Sequence, residues 1–151
     1  MNDMSDGLVG LGRSLSTPKD LLVKLRWDFG RIEKAHGDVY AAFDFFVTAE
    51  HLPEWVGTKD VRRTEPLLRI VSHLATGAKH FVPSAVRHRS VANVEIREGS
   101  FDSECFDPNA FDTGGLTVVL QGNESEVFGD EISVVELARQ VLDFWEQRIP
   151  A

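Results

Sequence analysis

The stretch VSHLATGAKHF, Val71–Phe81, sets His73 and His80 seven positions apart. That is about two turns, so on a helix both imidazoles fall on one face. Arg69 and Thr76 share that face, opposite Leu67, Ile70, Val71 and Leu74. Imidazoles titrate near neutrality and a guanidinium pairs with phosphate, so the row has the residue types for general acid–base work on a phosphodiester. It is equally the pattern of a solvent face, and only a covering element would turn it into a cleft. Glu50 completes the candidate catalytic set of Glu50, Arg69, His73 and His80. It projects among Val39, Phe43 and Phe46 near the end of an apolar helix. Burial and the C-terminal end of the helix dipole both oppose a negative charge there. Such a carboxylate requires an arginine, a lysine or hydrogen bonds, or else takes up a proton.

Tyr40, Asp44, Thr48 and His51 form a narrow polar stripe on the same helix, which makes Asp44 and His51 candidate binding residues. Arg87 and Arg89 join them as surface charges. A metal site is not expected: Glu50 and His51 are neighbours, pointing about 100° apart on a regular helix. Cys105 is the single cysteine, which excludes an internal disulfide and a multi-cysteine metal site. The repeat FDSECFDPNAFDTGG carries three Phe-Asp pairs five residues apart but lacks the loop pattern of a helix–loop–helix calcium site. Its phenylalanines are expected to pin an irregular loop while the acids face water. Phosphate-binding glycine loops and the common hydrolase and metalloprotease patterns are missing from the sequence, so no cofactor is expected.

The elements that must position these residues are legible from caps and periodicity. Thr17, Pro18 and Asp20 open a first helix, along which Leu21, Leu25, Phe29 and Ile32 recur at helical spacing. Asp38 caps a second, apolar and central helix that is expected to stop at Pro53. Thr64 caps a third, with Pro66 in its first turn and Leu67, Ile70, Val71, Leu74, Ala78 and Phe81 on one stripe. The period then changes: SVANVEIRE and GLTVVLQG read as strands, and QGNE as a turn into a short strand at SEVF. A capping box at Ser133 and Glu136 opens the last helix, whose core stripe is Val134, Leu137, Ala138, Val141, Leu142 and Trp145. The expected fold is α+β and mainly helical: three N-terminal helices, a small antiparallel sheet of two or three strands, and one C-terminal helix. Residues 1–16 are expected to form a flexible arm and 17–151 a single globular domain.

The net charge of −8 argues against general nucleic-acid binding, DNA included. No apolar run approaches the roughly 18 residues of a membrane span, and the first residues lack the features of a secretory signal. A cytoplasmic location follows as the expectation. Charge is segregated: eight basic residues against three acidic lie between Lys59 and Arg97, then nine acids and no Lys or Arg from Glu98 to Glu131. Two faces of opposite sign suit self-association or a charged protein partner.

At FDFFVTAEHLPEW and SHLATGAKHF the chain resembles a group of small bacterial proteins with an aromatic helix ending in Glu-His and a later one ending in Lys-His. No established activity comes with that resemblance. The GAKH ending, and the Arg31-x4-His36 spacing, are also similar to HEPN ribonucleases, although Arg69 lies further from His80 than that family's pattern has it. The expectation is a cytoplasmic bacterial domain that binds a protein partner or its own copy without catalysis. The alternative is a metal-independent HEPN-like ribonuclease, a toxin or phage-defence element, with RNA as substrate.

Overall fold

A computed structural model describes residues 11–80, 90–97 and 115–150, with side chains described as far as Ala78 in the first stretch and Ile96 in the second. The order is α1 (Pro18–Lys34), α2 (Val39–Val56), α3 (Val61–Thr64), α4 (Pro66–His80), β1 (Val91–Arg97), β2 (Gly115–Leu120), α5 (Gly122–Phe128), β3 (Glu131–Ser133) and α6 (Val134–Arg148). The fold is α+β and mainly helical, with one three-stranded antiparallel sheet in the order β1-β2-β3.

Local chemistry sets most boundaries. Thr17 and Asp20 form a reciprocal capping box at α1, and the N–H groups of Ser16 and Thr17 hold the Asp20 carboxyl below its ordinary range. Asp38 caps α2 by accepting from the N–H groups of Tyr40 and Ala41. That helix runs through Pro53, which lies inside it, to Val56. The true stop is Gly57, whose φ of 83° is open to glycine, with Thr58 N–H on the Pro53 carbonyl (2.8 Å) and Gly57 N–H on that of Glu54 (3.1 Å). Thr64 does not cap α4; it ends the single turn of α3, and the Glu65 carbonyl accepts from the Leu68 and Arg69 N–H groups of α4. At α6 half of the expected box forms: Ser133 Oγ accepts from Glu136 N–H, while the Glu136 side chain turns to Arg139 and Gln140.

One expected element changes type. SEVF is not a strand but the last turn of α5, ended by Gly129 (φ 88°). Four residues of alternation are too few to outweigh the contact that Glu124 makes with α4, described below. The third strand is Glu131–Ser133, pairing with Thr117–Val119 of β2.

α2 packs between α1 and α4, and α6 crosses behind them to reach α1 and the sheet. The core stripe of α6 is buried as its spacing predicts, Trp145 completely. Leu25, Phe45, Leu52, Leu68 and Val118 meet in the same core. Burying each such side chain contributes roughly 1.5–3 kcal/mol against the chain entropy. Gly115 lets the α1–α2 turn come close: a Cβ there would lie 3.0 Å from the Cβ of His36. No helix among the described residues is long and apolar enough to cross a membrane.

Candidate functional site

The α4 face that carries Arg69 and His73 is covered. Arg69 Nε donates to Glu124 Oε1 of α5 at 2.6 Å, and its Nη1 to the Arg63 carbonyl at 3.1 Å. The Ser90 hydroxyl donates to the Arg69 carbonyl, and the Val91 N–H to His73 Nδ1 at 3.3 Å. α5 and the start of β1 thus lie along the row. His73 is half-buried, and burial pulls its pKa below the ordinary value, opposed by the Glu124 charge. The imidazole is a neutral acceptor at neutral pH. His80 closes α4, and its side chain lies outside the described residues, as do Arg87, Arg89 and the Phe-Asp repeat.

Glu50 finds the arginine and the hydrogen bond that its position demands. Its Oε1 accepts from Arg62 Nη1 of α3 and from the Ser72 hydroxyl of α4, both at 3.1 Å. Oε2 is buried and has no hydrogen-bond partner among the described residues. Burial raises the Glu50 pKa above its ordinary value, against the charge of Arg62 and the Ser72 and Arg62 hydrogen bonds. Ser72 and His73 are successive on α4, so their side chains diverge by about 100°. Glu50 and His73 therefore face different sides of that helix and do not converge. His51 is exposed.

Asp44 belongs to a seam between α1 and α2. Arg31 Nη1 donates to Asp44 Oδ2 at 2.6 Å and to Asp28 Oδ1 at 3.4 Å. Asp28, 1% exposed, also accepts from Lys24 Nζ (2.5 Å) and from the Thr48 hydroxyl (3.1 Å), and Lys24 reaches Thr48 as well. This cluster was open to sequence reasoning, because Asp28 sits on the Leu21–Leu25–Ile32 stripe, where an acid is out of place. Two carboxylates, two cations and a hydroxyl that answer one another tie α1 to α2.

What remains open is apolar. A groove of about 540 Å³ runs between α2, α4 and the inner side of the sheet. Phe43, Phe46, Leu74, Val91 and Val118 form its walls, with His73 and Asn93 as polar points and no charged side chain among the described lining residues. Val94 and Ile96 of β1 pair with Val118 and Leu116 of β2, and directly opposed residues share a sheet face. Leu116 and Val118 are buried on that inner face, yet Val94 is 40% and Ile96 70% exposed. Val39 and Phe43 at the start of α2 are about half-exposed across from them. Among the described residues, the helices cover the start of β1, where Val91 is buried beside His73, and leave Val94 and Ile96 exposed. Nothing in the helical periodicity announces this; it follows from where the sheet lies relative to the helices.

Among the described residues no three His, Cys, Asp or Glu side chains gather to hold a metal ion. No protein-family model, curated protein or solved structure matches the chain.

Proposed function

We propose that this chain is a binding domain without a catalytic centre, working through the groove between α2, α4 and β1 on a protein surface, its own copy included. The observation that carries this is the exposure of Val94 and Ile96 on the side of the sheet where Leu116 and Val118 are buried. Exposed apolar side chains that continue a core surface and rim a groove are the mark of an interaction site. Each described charged candidate meanwhile has an internal partner: Glu50 has Arg62, Arg69 has Glu124, and Asp44 has Arg31. The ribonuclease alternative draws on Arg69 and His73 sharing a face, but it needs a guanidinium free for phosphate, and that of Arg69 is engaged by Glu124 and by the Arg63 carbonyl.

Photo-crosslinking in cells tests the proposal. A benzophenone amino acid at Phe43, in the groove, is compared with one at Trp27, which is 71% exposed on α1. A discrete adduct from position 43 and none from position 27 is expected. Equal adducts from both, or none from either, would remove the groove as the working surface.

A further inference from the structure

The start of β1 is fastened to α4 at two points about one helical turn apart. The Ser90 hydroxyl donates to the Arg69 carbonyl at 3.4 Å, and the Val91 N–H donates to His73 Nδ1 at 3.3 Å. On β2, the Gln121 N–H donates to the Ser90 carbonyl at 3.0 Å, whereas that of Leu120, the partner of Val91, donates away from β1 to the Asp130 carbonyl at 2.8 Å. Val91 and Leu120 are therefore a pair without mutual hydrogen bonds, and the Val91 N–H points away from β2. His73 supplies the acceptor that this N–H does not find in the sheet. Burial follows the fastening. Ser90 and Val91 are buried beside it, and the strand is exposed from Ala92 to Val94.

An imidazole can make this bond in one protonation state only. Neutral, with its proton on Nε2, it accepts at Nδ1; protonated, it carries a proton on both nitrogens, and two N–H donors then face each other. We propose that His73 is a proton-operated latch on the groove: neutral, it holds the start of β1 against α4, and protonated, it releases Val91 and opens the wall that Val91 forms. This rests on the groove proposal above and adds its regulation. The described groups around the ring set the direction of the switch. Glu124 of α5 is the charge that acts on the imidazole, and its carboxylate is already engaged by Arg69, on the same face of α4. From α2 and the sheet come Ala42, Phe46, Val91, Asn93 and Val118, which carry no charge. Burial prevails over Glu124 and keeps the ring neutral at neutral pH. The folded pKa therefore lies below the ordinary value of 6.5, so the latch contributes fully above that value and is lost as pH falls through the lower folded one.

Nuclear magnetic resonance of the full chain from about pH 7.5 to about pH 5, the range in which imidazoles titrate, tests the latch. The ring nitrogen shifts should show Nδ1 unprotonated at the neutral end. As His73 titrates, exchange protection of the Val91 amide should fall by roughly tenfold while that of Val118 holds. The Val91 methyl groups should at the same time become accessible to relaxation by a soluble nitroxide. His73→Asn keeps an acceptor near the place of Nδ1 and takes up no proton, so Val91 protection should stay flat across the range. His73→Leu should lower it by roughly tenfold already at neutral pH. A proton on Nδ1 at neutral pH overturns the proposal in the wild-type chain, whether or not the variants fold. So does Val91 protection that ignores the titration of His73, that falls equally in His73→Asn, or that is lost together with Val118, which is general acid unfolding. The groove is judged separately: no adduct from position 43 removes the groove without touching the Val91 result. An adduct from position 43 with Val91 indifferent to pH keeps the groove and removes the latch.

Discussion

Glu50 shows how a residue at an unfavourable place is held. Its carboxylate is desolvated at the C-terminal part of α2, and one arginine and one serine compensate without restoring its ordinary pKa. A raised pKa means that the folded chain binds this proton more tightly than the unfolded chain does. The stability that Glu50 contributes is complete below its unfolded value of about 4.5 and is lost as pH rises through the higher folded value. Glu50→Gln keeps an acceptor for Ser72 and Arg62 but carries no charge. Its stability relative to the wild type should therefore improve as pH is raised from acid toward neutral, measured by thermal unfolding at a series of pH values. The opposite trend would mean that Arg62 outweighs burial.

At the scale of elements, the α1–α2 seam is the charged counterpart of the apolar core. Asp28 is 1% exposed, whereas the side chains of Lys24 and Arg31 keep contact with water, 40% and 34% exposed. Loss of a cation leaves a buried carboxylate short of partners; loss of the acid lets the cations swing into solvent. Lys24→Met should cost about 2–3 kcal/mol, below the usual range for breaking a buried pair because Arg31 and Thr48 still reach Asp28. Asp28→Asn should cost less, and the double variant should sit close to Asp28→Asn alone. Urea denaturation of the three variants gives the coupling directly, and strict additivity would contradict a shared network.

Across the whole molecule, one sheet face changes character from strand to strand. Val118 and Val94 are cross-strand partners with the same side chain on the same side, yet one is fully buried and the other 40% exposed. Val118→Ala should cost about 2–3 kcal/mol and Val94→Ala less than about 0.5 kcal/mol in the monomeric chain. Similar losses would mean that the groove is filled in solution. On the groove proposal, the absence of charge among the described lining residues favours apolar complementarity over steering by the segregated charges.

Much of this architecture is written locally. Thr17 with Asp20, Asp38, and Ser133 with the stripe from Val134 to Trp145 determine where α1, α2 and α6 begin and which way the last of these faces, because caps and amphipathic periods act within a few residues. The strands GLTVVL and VANVEIR and the α+β class follow in the same way. The need of Glu50 for a partner was equally plain, since an acid among phenylalanines cannot stay unpaired. Which arginine answers it could not be read, because Arg62 arrives on a single turn that only the packing of α4 places. SEVF became helical for a related reason: Glu124 meets Arg69 across 55 residues of sequence, a contact with no local signature. The groove belongs wholly to the tertiary structure. Its walls are ordinary core residues by sequence, and which of them stay open, Val39, Phe43 and Val94 rather than Phe46 and Val118, depends on where the helices lie against the sheet.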